Sequence, residues 1–485
     1  MPSYEELLEQ NTLLKVENDQ LKRLIYGSKK EHHKVEQVPS EQGNLFDLEP
    51  ASKEVEPVVQ TIAAHQRKKK STHKGRNKLP SHLPVEEVII EPEVDTSEME
   101  KIGELITDTL DYTPASLKII RTRRMKYAPK EKEDKKDTEE GQNIVIAPSP
   151  IRPIDKSIAE SGLLAHIIVK KFIDHMPFYR QIQGFKRDFN WEPSKSTVND
   201  WFIAVCTLLQ PLYEVLEQQI LLSRYVQADE SPIKVQDKNK SGKTHQGYMW
   251  VYHSPVSKTV LFKYHKSRSH HAIKEILQDY VEWVQCDGYA AYDKLPQLNK
   301  GIKLAGCWVH ARRKYYEAKG SDQTRAAYAL DIFAAVYQHE AQCRAYDDDQ
   351  RKAYRQQHIL PLIEELYLWI EKESVKVLPK SPIGKAMNYS LQQKAKLMNC
   401  FEEGILELDN NLIENKIRPL ALGRKNYLFA GSHAAGQRIA MMYSFFATCK
   451  TNDINPQQWF IHVLDHIKET KLSNLNKLLP NNLTL

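Results

Sequence analysis

The spacing of apolar residues changes along this chain, and each change predicts a different kind of element. Over residues 1–27 it follows a heptad, with one seam formed by Leu7, Leu14 and Leu21 and the other by Asn11, Asn18 and Ile25. Leucine on one seam and asparagine on the other favour a parallel two-stranded coiled coil, because a buried asparagine pairs with its like in register. A single amphipathic helix that packs on its own domain fits three heptads equally well.

From residue 157 to about 222 the spacing is helical, with two short runs and a longer third one. The turn NWEPSKS precedes the third run, and Ser196 is predicted to be its N-cap. This order resembles a helix-turn-helix unit, whose exposed face near Lys195, Thr197 and Asn199 would enter the major groove of DNA. A plain helical bundle has the same pattern, so both alternatives stay open.

After Arg224 the apolar residues take the period of strands. The strand-like runs RYVQADES, GYMWVYHSP and KTVLFKYHKS are followed by the helical run HHAIKEILQDY, the strands WVQCDGY and IKLAGCWVH, and the helical run RRKYYEAK. Three strands in a meander, a helix, and further strands alternating with helices form the order of a ribonuclease-H-like fold. Residues 320–407 have helical spacing, which predicts a helical insertion before the helix that contains Glu414.

The predicted fold class is therefore α/β. It is a ribonuclease-H-like core with a helical insertion, preceded by a coiled coil, a small β-containing domain and a helix-turn-helix-like domain. The small domain rests on two strand-like stretches, LPVEEVIIEPEVD and LDYTPASLKIIRTRRMKYA. The predicted segments are the coiled coil 1–27, a polar linker 28–64, the small basic domain 65–130, a charged and Pro-rich linker 131–153, the helical DNA-binding domain 154–222, the first part of the core 223–319, the helical insertion 320–407, the Glu helix and following segment 408–450, and a helical tail 451–485.

Composition narrows the class of protein. A chain of 485 residues with 41% hydrophobic and 27% charged residues is long enough for two to four domains. Six scattered cysteines without a CxxC pair indicate reduced thiols, and no apolar run approaches the roughly 18 residues that span a membrane. We therefore expect a cytoplasmic protein with no membrane partner.

A net charge of +6 is a weak indication of a nucleic-acid partner. The basic run from His65 to Arg76 fits either phosphate contact or a solvated loop. The side chains in it that we predict to contact phosphate are Arg67, Lys68, Lys69 and Lys70.

Three acidic residues carry the candidate chemistry: Asp229 in QADES, Asp287 in QCDGY and Glu414 in NNLIENK. The predicted fold places the first two at the ends of strands and the third on a helix, all at one edge of a sheet. Two Asp and one Glu can hold two Mg²⁺ (or Mn²⁺) ions, which activate a water or a DNA 3′-hydroxyl for displacement at phosphorus. The sequence therefore predicts metal-dependent cutting and joining of DNA strands.

Each acid also has an ordinary structural explanation. Asp229 could start a turn, and Asp287 before a glycine is good turn chemistry. Glu414, three residues after Asn411, fits a helix capping box. No Gly-rich phosphate loop is present in the sequence, so ATP is not implied.

Basic residues flank the acids. The cations that we predict to contact DNA phosphates here are Arg312, Arg313, Lys314, Arg418, Arg424 and Lys425. Exposed helix charges without a partner are the alternative. Cys307 and His310 have the spacing of half a zinc site, but the sequence offers no second pair, so we interpret them as a structural strand end.

The motifs QADESPIKV, QCDGYAAYDKL, CWVHARRKYYEA, LDNNLIENKIRPLALGRKNYLFAGSHAAGQRIAMMYS and TNDINP together resemble transposases of the insertion-sequence 66 family. YGSKKEH and GRNKLPSHLP are similar to the N-terminal segment of that family. The resemblance implies an Asp-Asp-Glu transposase with a ribonuclease-H-like core, in which Asp229, Asp287 and Glu414 are catalytic. It also implies double-stranded DNA as the partner, at the element ends and at the target.

One departure from the family concerns zinc. The family usually carries a Cys-rich zinc site in the N-terminal region, whereas this chain has no cysteine before Cys206, so no zinc is expected there.

We expect a homodimer or larger oligomer on DNA, with possible accessory proteins of the same element. The rival hypotheses are a catalytically inactive DNA-binding descendant and a carboxylate hydrolase acting on sugars.

Overall fold

The computed structural model describes residues 117–123, 126–127, 145–146, 150–237 and 243–483. The coiled coil, the basic run from Arg67 to Lys70 and the zinc expectation lie outside these residues. In the part that the structure describes, no helix is both long and apolar enough to cross a membrane.

Five strands form the central sheet. Their bounds are β3 Tyr225–Gln236, β4 Thr244–Ser254, β5 Thr259–His265, β6 Trp283–Gln285 and β7 Lys303–Ala305. The order across the sheet is β5-β4-β3-β6-β7. The meander β3-β4-β5 is antiparallel, whereas β6 and β7 run parallel to β3. A separate antiparallel pair joins β1 (Lys126–Tyr127) to β2 (Val145–Ile146). The predicted meander is thus confirmed.

Three helices precede the sheet, in the predicted order of two short and one long. They are α1 Ser161–Phe172, α2 Phe178–Phe189 and α3 Lys195–Leu221. The predicted N-cap of α3 was wrong by two residues. Ser194 caps the helix, since its Oγ accepts a hydrogen bond from the Thr197 backbone N–H at 3.0 Å.

The remaining helices follow or interrupt the later strands. Their bounds are α4 His270–Leu277, α5 Leu295–Leu298, α6 Trp308–Ala318, α7 Gln323–Gln342, α8 Asp348–His358, α9 Leu360–Ser374, α10 Pro382–Gln392, α11 Lys394–Met398, α12 Asn411–Tyr427, α13 His433–Thr451 and α14 Pro456–His466. Helices α7 to α11 form what we call the insertion, between β7 and the helix that contains Glu414.

Two predicted strands are shorter than expected. The stretch before Tyr127 is not a strand over residues 117–123. The run IKLAGCWVH leaves the sheet after Ala305, because the next backbone N–H, that of Gly306, donates to Lys396 O at 2.8 Å instead of to a strand. Trp308 then begins α6.

Two hydrophobic cores result. One joins α1–α3 and α13–α14 to the sheet, and the other lies among α6 and the insertion around the buried Trp308. Helix α13 also covers the edge strand β5. Ser444 Oγ and Thr448 Oγ1 accept from the backbone N–H groups of Phe262 (2.7 Å) and Val260 (3.0 Å), which would otherwise be unpaired at the edge.

Candidate active site

The three predicted acids come from three neighbouring elements. Asp287 lies two residues beyond β6, and Glu414 lies in the first turn of α12. Asp229, however, lies inside β3 rather than at its end, so that part of the prediction was wrong. The reason is that β4 pairs with β3 as far as Gln236, whereas β6 pairs with it only over Tyr225–Gln227. Asp229 therefore lies where β3 loses its parallel neighbour.

The register explains why Asp229 and Asp287 meet. Gln227 is paired with Gln285 across the parallel strands, and each aspartate follows two residues later. Residues at i and i+2 face the same side of a strand, so Asp229 faces the same side as Gln227. Asp287 follows Gln285 just beyond the end of β6, next to that position.

The acid cluster (Asp229, Asp287 and Glu414) behaves as one electrostatic group. Burial is the largest cause that raises the pKa of Asp229, and together with the charges of Glu230, Asp287 and Glu414 it brings that pKa to about 8. A backbone hydrogen bond from Glu230 N to Asp229 Oδ1, 2.7 Å, opposes the shift. Such a half-buried group of carboxylates favours a proton or a cation at neutral pH.

Glu230, beside Asp229, is neutralised by the protein itself. Arg268 Nε lies 2.6 Å from Glu230 Oε1, and the Tyr292 hydroxyl donates to Oε2 at 3.1 Å. The Arg268 guanidinium also stacks on Tyr289, 4.0 Å from the ring centroid. Arg268 and Tyr292 therefore hold this carboxylate in place.

His310 lies beside the acid cluster, on the first turn of α6. Its Nε2 is 4.0 Å from Glu414 Oε1, and its Nδ1 is buried without a hydrogen-bond partner. Burial lowers its pKa, although Asp287 and Glu414 oppose the shift. The interpretation of CWVH as a strand end was wrong: Cys307 precedes the helix, and its Sγ accepts from Asn410 N at 3.3 Å. Local spacing could not reveal that α6 turns His310 toward Glu414.

A pocket of about 280 Å³ opens next to Asp287. Its lining residues are Arg268, Asp287, Gly288, Tyr289, His310, Arg313, Lys314, Glu317 and Tyr389. Arg313 and Lys314 were predicted here, whereas Arg268, Tyr289 and Tyr389 were not. The predicted Arg312 does not line the pocket.

The insertion reaches this pocket through Tyr389 of α10. A Cβ on Gly288 would lie 2.7 Å from the Tyr389 ring, so the residue after Asp287 must be glycine for the ring to pack there. The ammonium nitrogen (Nζ) of Lys314 lies over the Tyr389 ring, 4.8 Å from its centroid. The loop that carries Asp287 is thus held between α6 and the insertion.

A buried polar network lies beneath the acids and ties their elements together. Gln285 Nε2 donates to Glu407 O at 2.7 Å, and Gln227 Nε2 donates to Asp409 O at 3.1 Å. The Tyr225 hydroxyl accepts from Gln227 Nε2 at 3.0 Å and from Glu407 N at 3.3 Å. Strands β3 and β6 therefore hold the segment that leads into α12.

The same segment is held from the other side by the insertion cluster (Glu340, Arg351, Arg355 and Glu407). Arg355 is fully buried, donates from Nε to Glu340 Oε2 at 2.9 Å, and donates from Nη1 to Leu406 O at 2.7 Å. Arg351 Nη2 contacts Glu407 Oε2 at 3.0 Å. Burial alone would raise the pKa of Glu340, but the two arginines outweigh burial and hold it below its usual value.

The ordinary explanations of the acids have mixed outcomes. The capping box at Glu414 is wrong, because Asn410 precedes the helix without a side-chain cap and Asp409 Oδ1 accepts from Asn411 N instead. The turn at Asp287 is confirmed, since its Oδ1 accepts from Tyr289 N at 2.9 Å. That turn leaves the second carboxylate oxygen of Asp287 for other contacts.

The other residues predicted to contact DNA have different surroundings. Arg418 and Lys425 are exposed on α12, and Lys195 and Asn199 are exposed on α3. Arg424 instead donates from Nη1 to Ser231 Oγ at 2.9 Å, which anchors α12 on β3.

The described residues do not form a complete metal-binding site. Among the residues that the structure describes, no group of three or more His, Cys, Asp or Glu side chains is arranged to hold a metal ion. All six cysteines are buried and unpaired.

Comparison with known proteins gives consistent matches along the chain. The family described as "Transposase IS66 family" matches residues 156–438, "IS66 C-terminal element" matches 444–481, and "Transposase C of IS166 homeodomain" matches 13–88. "Uncharacterized protein y4qI" of Sinorhizobium fredii (strain NBRC 101917 / NGR234) is 31% identical over 85% of this chain and 78% of its own length. "Uncharacterized protein y4jD" of the same organism is 29% identical over 96% of this chain and 94% of its own length. With more than half of its length matched by the first of these families, the chain belongs to the IS66 family of transposases.

Proposed function

We propose that this protein cuts DNA at the ends of an insertion element and joins them to target DNA by metal-dependent phosphoryl transfer. Membership of a transposase family implies DNA cutting and joining in general. The observation that carries the finer proposal is the acid cluster, in which Asp287 and Glu414 both shift the pKa of Asp229.

The acid cluster would hold two Mg²⁺ or Mn²⁺ ions. The donor set fits, because these ions prefer carboxylate oxygens together with water and phosphate. The raised pKa of Asp229, caused first by burial and then by the charges of neighbouring acids, is the shift that a bound cation would oppose. When bound, such ions activate the attacking oxygen and stabilise the departing one.

The surrounding side chains would bind and orient the DNA strand. Arg313 and Lys314 line the pocket beside Asp287 and would hold a phosphate there. His310 lies within 4.0 Å of Glu414 and would be within reach of the same phosphate. The network of Tyr225, Gln227 and Gln285 would fix the start of α12, so that Glu414 keeps its position.

We further propose that the core is ribonuclease-H-like. An antiparallel meander with two parallel strands added beside β3 supports this assignment. The order of acids on β3, after β6 and on a later helix supports it as well.

Double-stranded DNA would be bound partly by exposed residues away from the pocket. Those proposed are Lys195, Asn199, Arg418 and Lys425, with Arg67 to Lys70 in the N-terminal region. Assembly of two copies on DNA would bring two element ends together.

The test is cleavage and strand transfer on DNA that contains the element's own ends. Wild-type protein should be active with Mg²⁺ or Mn²⁺ and inactive after chelation. Asp229→Asn, Asp287→Asn and Glu414→Gln should each reduce both steps by at least about a thousandfold, since metal stabilisation supplies several kcal/mol. DNA binding should stay within a few fold.

Asp331→Asn is the matched control, because this exposed acid lies on α7 outside the pocket. It should cut like wild type. Any acid-cluster variant that keeps near-wild-type strand transfer with Mg²⁺ removes that residue from the proposed site. An inactive wild-type protein that still binds DNA would favour the DNA-binding descendant.

A further inference from the structure

The segment after α12 makes a strained turn. Leu428 has φ 65° and ψ −46°, and the Phe429 backbone N–H donates to Tyr427 O at 2.8 Å. These angles and this bond define the rarer form of the γ-turn, with its central residue at positive φ. A leucine is strained there because its Cβ crowds the backbone.

Backbone hydrogen bonds before and after the turn hold it in this strained conformation. Leu428 N donates to Arg424 O at 3.0 Å, which completes the end of α12. Ala430 is bridged to the end of β3, with its N–H donating to Lys234 O at 2.9 Å and its O accepting from Gln236 N at 2.8 Å. Backbone strain that neighbouring structure enforces is concentrated at ligand clamps and functional sites.

The turn presents two large apolar side chains to solvent. Leu428 is 64% exposed and Phe429 is 41% exposed, whereas Ala430 is 2% exposed. Exposed leucines are ordinary one at a time. Two adjacent apolar side chains on a strained and anchored turn are not explained by the packing of this chain.

The charged residues in the sequence around this turn are all basic. Between Glu414 and Asp453 there is no acidic residue, while six cations occur: Lys416, Arg418, Arg424, Lys425, Arg438 and Lys450. On the neighbouring helix α2, the exposed Arg180 contacts Asn426 Oδ1 at 3.3 Å. An apolar tip on a segment whose charged residues are all basic is complementary to stacked bases between phosphates.

We propose that Leu428 and Phe429 form a wedge that enters between base pairs of the bound duplex and unstacks them. The proposal rests on the proposed function, because it takes the element DNA as its ligand. Proteins that bend or open DNA use apolar wedges of this kind.

The length of α12 sets where the wedge acts. Glu414 and Leu428 are fourteen residues apart on the helix, which corresponds to about 21 Å at 1.5 Å per residue. A duplex that runs along α12 would meet the wedge about six base pairs from the cleaved phosphate, at about 3.4 Å per pair. Base opening there would help to bend the DNA toward the acids.

The first experiment measures unstacking directly. 2-Aminopurine is placed at successive positions four to eight base pairs from the cleavage site, and its fluorescence is followed on binding in Ca²⁺ without cleavage. Wild-type protein should raise the signal severalfold at one or two adjacent positions. Leu428→Ala/Phe429→Ala should lose most of that rise while binding the duplex within about threefold. A flat wild-type profile, or an unchanged rise in the variant, overturns the proposal.

The second experiment asks whether unstacking matters for cleavage. The double variant should cut intact duplex about tenfold more slowly than wild type. A mismatch or abasic position at the wedge site should restore most of that rate, because the bases are then already unstacked. An equal defect on both substrates overturns the proposal.

Two further variants test whether the apolar side chains of the turn themselves cause the fluorescence rise. Leu428→Gly should keep the thermal midpoint, because glycine accepts positive φ, yet it should reduce the fluorescence rise. Leu368→Ala removes a leucine that is 69% exposed on α9 and should change neither readout. If the double variant instead alters the oligomeric state without DNA, the turn is a contact between copies of the chain and the wedge is overturned.

Failure of the wedge is distinguishable from failure of the proposed function. Asp287→Asn should abolish cleavage and keep the fluorescence rise. Wild-type protein that cuts DNA without any rise refutes the wedge alone, whereas a rise without metal-dependent cutting refutes the proposed chemistry alone.

Discussion

The acid cluster and the insertion cluster differ in how their charges are balanced. The insertion cluster has two arginines for two glutamates, and its arginines hold the pKa of Glu340 below the usual value. In the acid cluster, burial together with neighbouring acids raises the pKa of Asp229 to about 8. The insertion cluster contacts the segment that leads into α12, and Glu414 of the acid cluster lies at the start of that helix. The surroundings of Glu340 favour its charged form, whereas those of Asp229 disfavour it.

The comparison also separates two roles for the insertion. Arg355 of the insertion cluster donates to Leu406 O in the segment before α12. Tyr389 of the insertion packs next to Gly288 at the pocket. A helical insertion between the strands and the Glu helix thus supports the site rather than merely extending the chain.

The largest expected effect comes from breaking the balanced cluster. Arg355→Met should lower the free energy of unfolding by about 3–5 kcal/mol, because Glu340 is left as a buried charge with a weaker partner set. Thermal and urea denaturation would measure the loss. Lys352→Met, on the same helix but partly exposed, is the control and should lose less than about 1 kcal/mol. Equal losses in both variants would contradict a special role for the cluster.

The pH dependence of the same variant sharpens the comparison. Glu340 has a folded pKa below its usual 4.5, so its ion pairs contribute stability above about pH 4.5 and lose it as the pH falls through the folded value. The difference in unfolding free energy between wild type and Arg355→Met should therefore narrow below about pH 4.5. A difference that stays constant from pH 7 to pH 3 would show that packing, and not charge, causes the loss.

The next effect comes from adding a divalent cation to the acid cluster. Mg²⁺ or Mn²⁺ at a hundredfold excess over its Kd should stabilise the folded protein by about 2.7 kcal/mol per site. Asp287→Asn should lose most of this shift in a thermal melt, whereas Asp331→Asn should keep it. A metal shift of equal size in both variants would place the ions elsewhere.

The smallest effect concerns the network that joins the two clusters. Tyr225→Phe removes the hydroxyl that accepts from Glu407 N, and should raise the Mg²⁺ concentration needed for half-maximal cleavage about tenfold, equivalent to about 1.4 kcal/mol of positioning. Tyr280→Phe is the matched control, because its buried hydroxyl bonds Ser223 O and Trp283 O instead. Both variants should lose similar stability, and only the first should change the metal requirement. An unchanged requirement in Tyr225→Phe would make the network purely structural.

Part of the fold followed directly from local pattern. The three helices before the sheet and the antiparallel meander were predicted because period and turn residues act over a few positions. The acids were identified for the same reason, since each lies in a short and distinctive motif. The bounds of the late strands were not predicted, because Gly306 leaves the sheet for a partner ninety residues away, at Lys396 O.

The sequence by itself determined that Asp229, Asp287 and Glu414 lie in distinctive motifs and that two of them belong with strands and the third with a helix. Only the tertiary structure decided that His310 lies beside Glu414, that Arg424 anchors β3, and that Leu428 is held at positive φ. Each of these depends on contacts between elements far apart in the chain, where packing overrides local preference. The charge balance of the two clusters was decided in the same way, because a carboxylate's surroundings are fixed only when the chain has folded around it.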